Sequence, residues 1–188
     1  MNSPRFAPAG LLVRHNRRSV LLDGSVVPQG VTLDAWLVCD ERGELRTALK
    51  ARALEAGLAA PTVSAFSRAG LTITPHPVSH TSHPAYGYTI QTGPDGFTVW
   101  APEFWTFPAW AAGAALMFAE AAGWNRPIRF RGGAGGHASA LAVCEAAQRN
   151  GVARLILAHI GRPSIRAIDA GLPLPYGEWG TEGASYLT

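Results

Sequence analysis

Lysine is almost missing from this chain: of its sixteen basic residues only Lys50 is not an arginine. An arginine bias suits bidentate phosphate recognition, but coding from GC-rich DNA is the simpler explanation. Charged residues make up only 15% against 47% hydrophobic, which excludes a disordered chain and leaves a compact globular one. The two cysteines, Cys39 and Cys144, lie far apart in apolar segments, and neither belongs to a CxxC pair. The expectation is a reduced, cytoplasmic protein. No window approaches eighteen continuous apolar residues, and the start MNSPRFAPAG lacks the basic-then-apolar order of a signal peptide, so neither a membrane span nor export is expected. There is no GxSxG elbow and no reactive-cysteine motif, and the run GGAGG lacks the Lys-Ser/Thr pair of a P-loop. Nothing in the sequence activates water unless a metal does. The pI is near 9.2, yet basic residues are dense only at HNRR and NRPIRFRGG and no groove-reading helix is apparent, which speaks against nucleic-acid binding.

The 188 residues present are enough for one domain spanning 1–188 with a sizeable core. Gly10–Val13 and Ser19–Asp23 flank the turn-like HNRR and predict a hairpin, with Asp23 capping the turn that follows. Leu33–Cys39 reads as a buried strand and Glu44–Ala56 as a helix stopped by Gly57. Short strands are expected over Thr62–Ala65 and Leu71–Pro75. A hairpin over Tyr86–Gln91 and Thr98–Ala101 closes on TGPDG. The aromatic segment Trp100–Trp110 suits core packing or a dimer face. Ala114–Ala119 predicts a buried strand ending at Glu120, and His137–Asn150 a helix capped by Gly151. Val152–Ala158 reads as a strand ending at His159, Pro163–Ala170 as a last helix, and the Gly- and Pro-rich tail from Gly171 as loop. This order suggests an α/β sandwich with its site along one edge of the sheets.

Five of the six histidines stand at the ends of these elements. His76, His80 and His83 crowd the stretch PHPVSHTSHPAYGY, while His137 and His159 sit where a glycine-rich or apolar segment meets a loop. Side chains at strand ends project into a shared cleft, where metal ligands and proton carriers can be held.

Taken in order, these segments resemble the metallo-β-lactamase fold superfamily, in particular its ribonuclease Z-like and phosphodiesterase-like branch, over roughly residues 10–165. LLVRHNRRSVLLDG is similar to its opening hairpin and LDAWLVCDERGEL to the strand that carries its HxHxDH signature. PVSHTSHPAYGYTI resembles the third histidine motif, FTVWAPE the strand ending in a bridging aspartate, and MFAEA the glutamate motif. GGHASALAVCEAAQRNGVARLILAHI resembles the closing histidine–helix–strand–histidine unit. The resemblance implies an αββα sandwich. It breaks at the HxHxDH positions, which here fall on Asp40, Arg42, Glu44 and Leu45. Leucine cannot ligate a metal and arginine repels one, so a pair of zinc sites cannot be complete.

By resemblance, His80, Glu103 and His159 stand where metal ligands are expected, with Asp40 or Glu44 as a further oxygen donor. Such a set implies at most one divalent ion (Zn, Mn or Fe), or none. Glu120 and His137 resemble the acid–histidine dyad that protonates the leaving group in the ribonuclease Z branch. The implied function is hydrolysis of a phosphodiester or ester bond. The alternative is a catalytically inactive member whose cleft binds an acidic small molecule or a partner protein. Arg42 in the old metal cavity and Arg131 in the glycine-rich loop are candidate anion-binding residues. The resemblance also implies a homodimer.

Overall fold

The computed structural model describes residues 5–94, 96–133 and 135–187. Two sheets face each other, with helices on their outer sides. In chain order, β1 (Gly10–His15), β2 (Arg18–Asp23) and β3 (Ala35–Leu37) form a three-stranded sheet in that spatial order. Helix α1 (Arg46–Glu55) follows, and then β4 (Phe66–Arg68), β5 (Leu71–Val78), β6 (Ala85–Gln91), β7 (Thr98–Ala101) and β8 (Leu116–Ala121). A two-residue ribbon pairs β9 (Ile128–Arg129) with β10 (Gly136–His137). Helix α2 (Ala140–Arg149), β11 (Leu155–Ile160), helix α3 (Arg162–Asp169) and β12 (Glu178–Trp179) complete the chain. The large sheet runs β12-β11-β8-β7-β6-β5-β4, parallel from β12 to β7 and antiparallel from there on.

Side-chain alternation builds the layers. Val20 and Leu22 point between the sheets, where they meet Ile73, Tyr88, Trp100, Leu116, Phe118 and Ile156, while Leu21 points the other way to Trp36, Leu49 and Ala53 under α1. On the far side of the large sheet Met117, Ala119 and Leu157 pack with Val143, Cys144 and Ala147 of α2. The αββα sandwich expected from the sequence is the architecture observed. The hairpin closes with Asn16 and Arg17 both at positive φ, 45° and 62°, the backbone of a tight two-residue turn. Helix α1 stops at Gly57, whose φ of 73° suits glycine. Both cysteines are free and buried. Among the described residues no helix is long and apolar enough to cross a membrane.

Several boundaries differ from the sequence reading for identifiable reasons. Instead of a strand over Thr62–Ala65 there is a single bridge from Thr62 to Leu37, and the strand is Phe66–Arg68. The strand expected over Leu33–Cys39 is only Ala35–Leu37, because Cys39 gives its N–H to the Asp23 side chain and not to a ladder. β8 runs to Ala121, so Glu120 lies within a strand and not beyond one; pairing with β11 extends it. α2 begins at Ala140, since Ser139 caps it by accepting Ala142 N–H at 3.4 Å, and His137 belongs to β10. The tail contributes β12, which pairs with β11. Trp100 and Phe104 are core residues of this one chain, at 1% and 0% exposure.

Candidate active site

Glu120 organises the site. Its carboxylate is fully buried near the end of β8, with two backbone donors aimed at it: Ala122 N–H reaches Oε1 at 2.8 Å and Phe104 N–H reaches Oε2 at 3.2 Å. Two imidazoles complete its coordination, His137 Nδ1 on Oε2 at 2.8 Å and His159 Nδ1 on Oε1 at 3.2 Å. His137 comes from β10. His159 arrives through a β-bulge in β11: the register pairs Leu157 with Ala119 but His159 with Glu120, leaving Ala158 as the extra residue. Strict alternation would aim His159 at the α2 side with Leu157, and the bulge turns it onto the face of Glu120.

Glu103, two residues beyond β7, links His159 to His80. Its Oε1 lies 3.4 Å from His159 Nε2 and its Oε2 lies 3.3 Å from His80 Nε2. His80 Nδ1 donates to Gly136 O at 2.9 Å. The result is one connected chain, Gly136–His80–Glu103–His159–Glu120–His137, in which imidazoles and carboxylates alternate. Both ring nitrogens of His80 and of His159 face acceptors, the pattern of an imidazolium. Burial alone would depress His159, but the Glu120 charge, its hydrogen bond and the Glu103 charge outweigh it and raise the ring's pKa to about 9. Burial likewise opposes ionisation of Glu103, yet the His80 hydrogen bond and the three histidines hold its pKa down to about 2. Glu120 is lowered for the same reasons, against its own burial. His80 is raised, the Glu103 hydrogen bond overcoming desolvation.

His80 and His159 are each fixed through Nδ1 by an acceptor, Gly136 O and Glu120, and each turns Nε2 toward Glu103. Two imidazoles joined by one carboxylate thus form one wall of the site. Among the described residues the group whose ligand atoms all lie within 4.8 Å of one another is Glu120, His137 and His159, and both Glu120 oxygens already serve backbone N–H donors.

A cleft of about 290 Å³ opens onto this wall, lined by Glu103 and His159 together with Asp23, Cys39, Asp40, Glu44 and Arg46. Of the other sequence candidates, Asp40 lies on the cleft lining but its Oδ2 pairs with His83 Nε2 at 2.8 Å, and its Oδ1 takes Arg42 N–H at 2.7 Å. The Arg42 side chain is exposed, and the basic residue on the lining is Arg46. Arg131 is exposed on the loop between β9 and β10. His76 stands apart, stacked on Trp110 at 4.8 Å and bonded to Thr89 Oγ1 at 3.0 Å.

Asp23 and Phe130 carried no functional role in the sequence reading and His83 only its place in the histidine cluster, yet all three shape this region. Asp23, more than a turn cap, accepts Cys39 N–H at 2.8 Å and Trp100 Nε1 at 2.7 Å, and burial raises its pKa. An acid closing an apolar strand was the available signal. His83 orients Asp40. Phe130 touches His80 and His137 edge-on, at ring-centroid distances of 5.4 and 5.2 Å.

No family model and no curated protein matches the sequence. Solved structures do match in shape. A metallo-beta-lactamase fold protein, YhfI from Bacillus subtilis, superposes with a TM-score of 0.62 at 16% identity, over 97% of this chain and 92% of that one. A diphosphatase from the PhnP family superposes with 0.61 at 15% identity, over 90% and 79%. An isothiocyanate hydrolase from Delia radicum gut bacteria gives 0.61 at 11% identity, over 95% and 96%. The chain has the metallo-β-lactamase fold.

Proposed function

We propose that this protein hydrolyses a phosphodiester or ester bond through at most one divalent metal ion (Zn, Mn or Fe), with Glu120 and His137 as its proton-transfer pair. The observation that carries this reading is the unbroken chain of contacts from His80 through Glu103, His159 and Glu120 to His137, which joins two imidazoles and a carboxylate to a carboxylate-oriented imidazole. His80, Glu103 and His159 would hold the ion; Asp40 is engaged by His83. A bound divalent ion supplies the positive charge that makes water acidic at neutral pH and offsets charge developing on the substrate. Glu120 accepts the Nδ1 proton of His137 and so fixes the ring, leaving Nε2 to take a proton from water and then hand it to the leaving-group oxygen. Two structural neighbours, the diphosphatase and the isothiocyanate hydrolase, are hydrolases, which supports the reaction class and no particular substrate.

A second reading, an inactive protein whose cleft holds an acidic small molecule, has less support. The lining carries Asp23, Asp40, Glu44 and Glu103 against Arg46 and His159, a balance that favours a cation over an anion at the cleft floor.

The test is metal content by elemental mass spectrometry on untagged protein, with a His80→Ala/His159→Ala control, followed by hydrolysis of bis(p-nitrophenyl) phosphate. About one equivalent of metal, absent from the control, and metal-dependent turnover are expected. Protein that is metal-free as purified and takes up neither Zn nor Mn refutes the proposal.

A further inference from the structure

The loop between β8 and β10 is pinned onto the site. Gly136 N–H donates to His80 O at 2.8 Å while His80 Nδ1 donates back to Gly136 O at 2.9 Å, and Phe130 N–H closes the loop on Gly135 O at 3.0 Å. Gly135 has a φ of 109°, and a Cβ there would stand 2.2 Å from His80 O, so glycine is what lets the loop come this close. The pinning sets Phe130 edge-on to both His80 and His137. Those imidazoles are 5% and 4% exposed whereas Phe130 is half-buried, so Phe130 is the outer surface of the dyad. Beside it the Arg129 guanidinium lies 5.6 Å over the Trp105 ring, exposed to solvent. The ring face attracts the cation there while it stays open to solvent. None of Arg126, Arg129 and Arg131 forms an ion pair among the described residues, and all three are exposed on this one loop.

We infer that Arg129 and Phe130 form the recognition edge of the site, selecting a ligand in which an aromatic group adjoins a phosphate-class anion. Such a ligand meets the exposed part of Phe130 before the buried His137, and its anion meets a guanidinium that has no ion-pair partner among the described residues. The chemistry assigned to the ligand rests on the hydrolase reading, but binding at this edge does not require turnover.

The test is isothermal titration of the whole protein with phenylphosphonate and methylphosphonate, whose P–C bonds resist hydrolysis, and with benzyl alcohol as the ring without the charge. Phenylphosphonate is expected to bind roughly tenfold tighter than methylphosphonate, the gain of one aromatic contact, and benzyl alcohol not measurably. Phe130→Leu should bring the two phosphonates within about twofold, and Arg129→Gln should weaken both by about tenfold or more. Matching thermal melts verify that both variants fold. Failure of the wild type to bind either phosphonate, equal affinity for the two, or variants that bind like wild type overturns the assignment. Phosphonate binding by protein that takes up neither Zn nor Mn would sink the hydrolase reading and leave the recognition edge standing.

Discussion

Glu120→Gln removes one negative charge from the centre of the site and leaves the side-chain volume almost unchanged. Each Glu120 oxygen accepts one backbone N–H and one imidazole N–H: Ala122 and His159 on Oε1, Phe104 and His137 on Oε2. A glutamine amide can present its oxygen to only one of these pairs. Whichever way it flips, its NH2 faces a fixed backbone donor, and that N–H loses its partner in a fully buried place. An orphaned buried donor costs about 1–3 kcal/mol, and leaving the His159 imidazolium short of a counter-charge brings the total to roughly 3–5 kcal/mol. For a chain of this size each kcal/mol lowers the melting temperature by about 2–4 °C. The expected loss at pH 7 is therefore about 10 °C, read by circular dichroism on protein dialysed against chelator.

The pH dependence separates this reasoning from simple packing loss. His159 has a folded pKa raised from 6.5 to about 9. Its contribution to stability is fully present below the unfolded value and is lost as pH rises through about 9. In Glu120→Gln much of that contribution is already gone, so the gap between variant and wild type should narrow between pH 7 and pH 10. A melting temperature within about 3 °C of wild type at pH 7, or a gap that stays constant to pH 10, would refute the electrostatic account.

Glu103 predicts the opposite limb: its pKa is held at about 2 from 4.5, so its stabilisation is present above 4.5 and lost as pH falls through about 2. Urea denaturation of Glu103→Gln from pH 6 to pH 3 should show a flatter acid decline than wild type; parallel curves would contradict the His80–Glu103–His159 link. Gly135→Ala should lose about 2 kcal/mol or more, because it combines a positive φ with a Cβ 2.2 Å from His80 O. A urea midpoint equal to wild type would show that the loop is not pinned as described.

The layered fold was legible because alternation and turn chemistry are local. The SVLLD strand, the left-handed Asn16–Arg17 turn and the Gly57 stop each needed only their own neighbours. His80, Glu120, His137 and His159 were legible as candidates because each stands at or near an element end, Glu103 only through the family resemblance, and the structure brings all five into one chain of hydrogen bonds and ion pairs. What sequence could not show is set by register and long-range contact. The Ala158 bulge that turns His159 onto Glu120 has no compositional mark, and the covering of His137 by Phe130 depends on two loop glycines meeting His80. The same limit applies where the sequence departs most from the family it resembles. Asp40 binds His83 and Arg42 N–H, Glu41 accepts Val63 N–H at 2.8 Å, and the Arg42 and Leu45 side chains are exposed. At that edge of the cleft Asp40 and Glu41 hold the loop together. Asp40 is thereby engaged within its own loop and by His83, which is why the proposed ion is assigned to His80, Glu103 and His159 and not to Asp40.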